Sequence, residues 1–246
     1  MAKRINKKKE SKVIPILVGA GTVLSVLFII ALLYFGSYYR AKSDALRAAN
    51  GNSVVKVIKE KRRLFFDGPG KDKLLVFYPG ARVEYTAYSR LMLHLAEGGL
   101  DCVLVRMPLN FAIFDSGAFD EVRVDYGYYD QFYIGGHSMG GAMAALYASK
   151  NPDKLDGLVM LAAYPTKSLD GDLKVVSIYG SNDKVLNREK LAEGAQYLPA
   201  SAKTFEIAGG NHAQFGDYGE QGGDGAADIS SERQQSLTVQ HILNSL

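Results

Sequence analysis

The chain has 246 residues, 47% of them hydrophobic, a formal net charge of +3 and a single cysteine. Six of its 29 basic residues but only one of its 26 acids fall within residues 1–12, so the rest is nearly neutral. A neutral body excludes a concentrated nucleic-acid-binding face. One cysteine excludes an intrachain disulfide, and four histidines without paired ligand spacing point to no metal and no cofactor.

The chain opens with a basic tail, residues 1–12, followed by an uncharged stretch at 13–35 that is long enough to cross a bilayer as a helix. Lys3, Arg4, Lys7, Lys8, Lys9 and Lys12 precede it, while only Arg40, Lys42 and Arg47 follow closely. This balance predicts a cytoplasmic N-terminus and an exported body. No small-residue cleavage site follows the apolar run, which favours an uncleaved anchor over a removed signal peptide. The tail also suits contact with anionic headgroups. Residues 36–52, polar and short of large apolar side chains, read as a tether to a domain at 53–246.

Along that domain, strands are predicted at 54–58 and 62–66, an antiparallel pair turned back near Asp67-Gly68-Pro69-Gly70, and at 74–78. Tyr88, Leu91, Met92 and Leu95 share one face of a helix ended by Gly98-Gly99. Then come strand 101–106, a helix within 117–129, strand 131–135, helix 138–149, and strands 157–162 and 174–179. Helix 187–198, strand 203–207 and a last helix at 231–245, begun by a Ser231-x-x-Gln234 capping box, complete the chain. Alternating strands and helices predict a mostly parallel, doubly wound α/β sheet. No insertion is long enough for a cap domain.

Gly135-Gly136-His137-Ser138-Met139-Gly140-Gly141 carries the strongest signal. Its G-x-S-x-G core lies between an apolar run and a helix rich in small residues, the order that raises a nucleophilic serine on a sharp strand-to-helix turn. A serine hydroxyl needs a base and a group to orient that base. His137 lies inside the turn, His94 precedes the serine and His241 sits in the last helix, leaving His212, in a glycine-rich loop after strand 203–207. Asp183, after strand 174–179, is the candidate acid, although an aspartate there also suits a helix start; Asp217 and Asp224 are the alternatives. The Met139 amide and the Ala81 amide, in Pro79-Gly80-Ala81 after strand 74–78, are the expected oxyanion donors. Gly80 and the apolar segment Leu109, Asn110 and Phe111 are candidate substrate-binding residues, unless that segment is a buried crossing. If it lines the site, it predicts short-to-medium acyl esters.

These residues resemble the α/β-hydrolase superfamily. More narrowly, the body is similar to the small bacterial α/β-hydrolase family 5 group, relatives of dienelactone hydrolases. The similarity rests on Tyr78-Pro79-Gly80, Met107-Pro108-Leu109-Asn110, Gly136-His137-Ser138-Met139-Gly140, Gly180-Ser181-Asn182-Asp183 and the run Gly210 to Gly219, spread over residues 55–246. Ala81 stands where that group often has a second glycine, and Ser138 where dienelactone hydrolases have cysteine. The resemblance implies an α/β-hydrolase fold and hydrolase chemistry. The expectation is a membrane-anchored serine hydrolase cleaving a carboxylic ester, with a small-molecule acyl substrate and the lipid bilayer as partners and no nucleic acid. Alternatives are an acyltransferase with the same triad and an inactive membrane-tethered binding domain. The expected location is a bacterial plasma membrane, single-pass, with the catalytic domain outside; oligomeric state is left open.

Overall fold

The computed structural model describes residues 2–246, with side chains from Pro15 onward; the side chains of the basic tail lie outside the described residues. The chain divides into two units, residues 1–37 and 38–246. The first is helix α1, Ala2–Gly36, which takes in the tail as well as the apolar stretch. Within it, Pro15–Gly36 has a mean hydropathy of 2.7 and is long and apolar enough to cross a membrane.

The second unit begins earlier than the sequence suggests. Residues 38–52 are not a free tether: α2, Ser43–Ala48, buries Ala45 and Ala48, and Ala49 beyond it is buried as well. Tyr39 makes a parallel bridge with Val83, and the Lys42 N–H donates to the Asp217 carbonyl at 2.7 Å. Small side chains at i, i+3 and i+4 let this helix lie close on the domain without large apolar residues.

An eight-stranded sheet forms the centre. β1 (Lys56–Lys59) and β2 (Arg63–Asp67) are an antiparallel pair, as expected, but they turn at residues 60–62, where the Glu60 N–H donates to the Arg63 carbonyl. Asp67 to Gly70 instead lead into β3, Lys73–Tyr78. Then follow α3 (Ser89–Glu97), β4 (Asp101–Val105), α4 (Ala118–Asp125), β5 (Gln131–His137) and α5 (Met139–Lys150). The chain closes with β6 (Gly157–Leu161), β7 (Lys174–Gly180), α6 (Arg188–Gly194), β8 (Lys203–Ile207) and α7 (Ser231–Leu243). Ser230 caps α7 by accepting the Arg233 N–H, so the cap lies one residue before the predicted one.

Strand order is β1-β2-β4-β3-β5-β6-β7-β8, parallel from β4 onward. Alternation along the strands splits the core into two layers. Leu75, Phe77, Leu104 and Tyr133 pack with α2, α3 and α7, while Leu74, Val76, Val103 and Ile134 pack with α4 and α5. From β3 the chain passes to β4 on one side, and β5 returns to the other. This reversal leaves a crevice at the carboxyl ends of β3 and β5, where ligands bind in open α/β sheets.

Candidate active site

Ser138 stands at that crevice, half-buried, with φ 52° and ψ −122°. Positive φ at a serine costs on the order of 1–3 kcal/mol and persists only where its surroundings enforce it. They do: the Ser138 N–H donates to the Leu161 carbonyl at 2.9 Å, and its own carbonyl accepts from Ala142 as α5 begins. The flanking glycines are required by space. A Cβ on Gly136 would lie 2.5 Å from the Gly140 carbonyl carbon, and one on Gly140 would lie 2.2 Å from the Tyr78 oxygen.

The register pairs Tyr78 with Gly136, which sets Pro79-Gly80-Ala81 beside His137-Ser138-Met139. The Gly80 loop is tied at both sides. Gly80 donates its N–H to the Tyr88 hydroxyl at 3.1 Å, and the Arg82 N–H donates to the Asn110 carbonyl at 2.8 Å. A Cβ on Gly80 would lie 2.9 Å from both the Tyr88 hydroxyl and His137 Nδ1, so glycine is needed for packing as much as for the turn.

Asp183 and His212 meet through the β7 and β8 loops, which continue the pairing of their strands. The Ser181 N–H reaches the Ile207 carbonyl and the Asn182 N–H the Gly210 carbonyl, an approach close enough that a Cβ on Gly180 would lie 2.4 Å from Gly210. His212 Nδ1 then bonds Asp183 Oδ2 at 2.8 Å, with both side chains buried. The other carboxylate oxygen, Oδ1, accepts the N–H groups of Val185 and Leu186. Asp183 therefore braces the following loop and faces the histidine at once, while α6 is capped separately by Asn187.

The alternative acids are engaged elsewhere. Asp217 is buried in an ion pair with Arg90 and accepts from Gln235, and burial pushes its carboxyl up. Asp224 accepts the Ala213 N–H. Gln234, read from sequence as part of a cap, instead turns inward and clamps Asn211 through both its N–H and its carbonyl, fixing the loop that carries His212.

His137, set aside in the sequence, sits in the same cluster. It is buried, its Nδ1 lies 2.8 Å from the Tyr88 hydroxyl, and its ring centroid is 4.5 Å from that of His212. Burial, and then the neighbouring His212, hold its pKa well below the ordinary value, so it is neutral.

Beside Ser138 and His212 opens a cleft of about 380 Å³, lined mainly by apolar groups: Met139, Ala142, Met143, Ala162, Ala163, Tyr164, Val185 and Leu186, with Thr166 and Asn187. The expected substrate-binding residues are not in that lining. Gly80 is committed to Tyr88, Asn110 braces Arg82, Phe111 is buried and Leu109 is exposed. Positive φ at Leu109 and Asn110 turns their segment so that the Asn110 carbonyl meets the Arg82 N–H beside the Gly80 loop. The lining of this cleft comes from the start of α5 and from segments after β6 and β7 that are distant in sequence.

The sequence profile of the alpha/beta hydrolase family matches residues 74–236, well over half of the chain. The chain belongs to the alpha/beta hydrolase family. No curated protein sequence matches it. Three solved structures illustrate how the fold of this alpha/beta hydrolase is shared. A CIB-like hydrolase from Thermoplasma acidophilum is 18% identical, with 77% of this chain and 97% of that one aligned and a TM-score of 0.53. Est1E from Butyrivibrio proteoclasticus is 15% identical over 78% and 99%, with a TM-score of 0.52. A monoacylglycerol lipase from Paleococcus ferrophilus is 15% identical over 76% and 100%, with a TM-score of 0.58. At these identities the likeness concerns the alpha/beta hydrolase fold alone.

Proposed function

We propose that this alpha/beta hydrolase is a membrane-anchored serine esterase acting through Ser138, His212 and Asp183. The observation that carries the reading is the buried 2.8 Å contact between His212 Nδ1 and Asp183 Oδ2, on a histidine that shares the cleft of Ser138. With its Nδ1 proton held by the carboxylate, the imidazole offers Nε2 as a base. His212 takes the proton as Ser138 Oγ bonds the carbonyl carbon, and the Met139 and Ala81 amides receive the oxyanion. The same proton passes to the departing alcohol as the ester C–O bond breaks. Water, deprotonated by His212, then releases the acid and restores Ser138. Dienelactone-type cysteine chemistry is not required, and one structural neighbour is a monoacylglycerol lipase.

The apolar cleft beside Ser138 is the proposed acyl pocket, open enough for short-to-medium chains. The apolar span and the basic residues before it support an uncleaved anchor in a plasma membrane with the hydrolase domain outside. Full-length protein should hydrolyse p-nitrophenyl butyrate, and Ser138→Ala should abolish this turnover with an unchanged circular dichroism spectrum. Turnover retained in Ser138→Ala contradicts the assignment. Protease added to intact spheroplasts should digest the domain; protection until lysis contradicts the outward topology.

A further inference from the structure

The first residues of the domain are built into its catalytic edge. Tyr39 donates its N–H to the Arg82 carbonyl at 2.7 Å and accepts from the Glu84 N–H at 2.9 Å. Arg82 is the residue next to Ala81. The apolar span ends at Gly36, so three peptide units join it to a residue fixed beside the Gly80 loop. Fully extended, they cover only about 10 Å. The connection between the apolar span and this edge of the domain is therefore short.

The same edge carries exposed apolar side chains on both sides of the cleft. Leu109, Ile113 and Phe114, in the segment between β4 and α4, are 55%, 57% and 53% exposed. The turn Ala112–Phe114 lies against α5, the helix that Ser138 starts. Across the cleft, Val185 is 38% exposed and lines it. Single exposed apolar residues are ordinary, but a group of them around a site marks an interaction surface. Arg40, next to Tyr39, and Arg106, just past the end of β4, are exposed at this edge too and complement anionic headgroups.

We propose that this edge rests in the headgroup layer of the bilayer that anchors the chain, with Leu109, Ile113 and Phe114 dipping into it, and that the ester brought to Ser138 is carried by an amphiphile of that leaflet. The proposal rests on the membrane-anchored esterase reading and names its substrate class. The substrate reaches the cleft from the leaflet, where it is concentrated, and its hydrocarbon part never has to cross water.

The chain contains no tryptophan, so one introduced indole reports its surroundings alone. Full-length Ile113→Trp and Phe114→Trp, in phosphatidylcholine–phosphatidylglycerol vesicles doped with bromine-labelled lipid, should each lose most of their emission. Val124→Trp, on the exposed face of α4, should keep its own. Emission from residues 113 and 114 as unquenched as that from 124, in protein that co-floats with vesicles, overturns the docking. Failure to co-float overturns both the anchor and the docking. Absence of p-nitrophenyl butyrate turnover in quenched, co-floating protein overturns the esterase reading and the substrate assignment but leaves the docked face standing. Ile113→Asp should lower turnover of a vesicle-borne acylglycerol on the order of tenfold, the scale of withdrawing one aliphatic side chain from the interface, with soluble-ester turnover unchanged. Equal rates on the vesicle-borne ester contradict the assigned substrate class.

Discussion

The Tyr88 hydroxyl lies 2.8 Å from His137 Nδ1 while accepting the Gly80 N–H at 3.1 Å. The Gly80 N–H takes one lone pair of this oxygen, which leaves the hydroxyl free to meet the imidazole as well. Tyr88 is fully buried, and burial raises the pKa of its phenol, so the hydroxyl keeps its proton. One oxygen thus joins the Gly80 loop to the histidine packed against His212.

Tyr88→Phe removes this junction and leaves two buried polar groups unsatisfied, at a cost of about 1–3 kcal/mol each. Chemical denaturation should register the loss. The kcat for a short p-nitrophenyl ester should fall, with KM little changed, because the Gly80–Ala81 peptide is positioned less firmly where charge develops. A variant that is less stable but has unchanged kcat shows that Tyr88 acts in packing only.

Asp183→Asn should lower kcat by several orders of magnitude, since an amide in place of the carboxylate favours the wrong imidazole tautomer. Asp217→Asn should leave kcat near the parent value. It weakens the buried contacts with Arg90 and Gln235, at a cost of about 1–3 kcal/mol in unfolding free energy. Steady-state kinetics and urea titration separate the two effects. An Asp217→Asn variant as inactive as Asp183→Asn contradicts the assignment of the acid.

The depressed pKa of His137 makes stability depend on pH with a definite sign. The unfolded chain binds a proton at this residue below the ordinary imidazole value of about 6.5, whereas the folded protein does not. Protons bound only when unfolded favour unfolding as pH falls, so this contribution to stability is full above that pH and declines below it, by about 1.4 kcal/mol per pH unit. Denaturation at a series of pH values should show His137→Gln lacking that part of the slope. Parallel slopes for parent and variant contradict it.

Much of this arrangement is legible in the sequence, for reasons particular to each part. The elbow and the loops of Asp183 and His212 are local patterns set by strand ends and glycines, and the order of strands and helices follows from apolar runs. The packing of 38–52 on the domain is carried by Ala45, Ala48 and Ala49, whose size gives a weak hydrophobic signal; their i, i+3, i+4 spacing is the trace that could have revealed it. The lining of the cleft combines residues near 142, 163 and 185, a proximity created only by the sheet. Tyr88 looks like one more residue on an apolar helix face, and only its hydroxyl, aimed at His137, sets it apart.

Covalent labelling tests the central claim most directly. A fluorophosphonate added to full-length protein should form one adduct, on the peptide containing Ser138, as read by mass spectrometry. Labelling should be lost in Ser138→Ala and strongly slowed in His212→Ala. A folded protein left unlabelled, or labelled equally well without Ser138, contradicts the account.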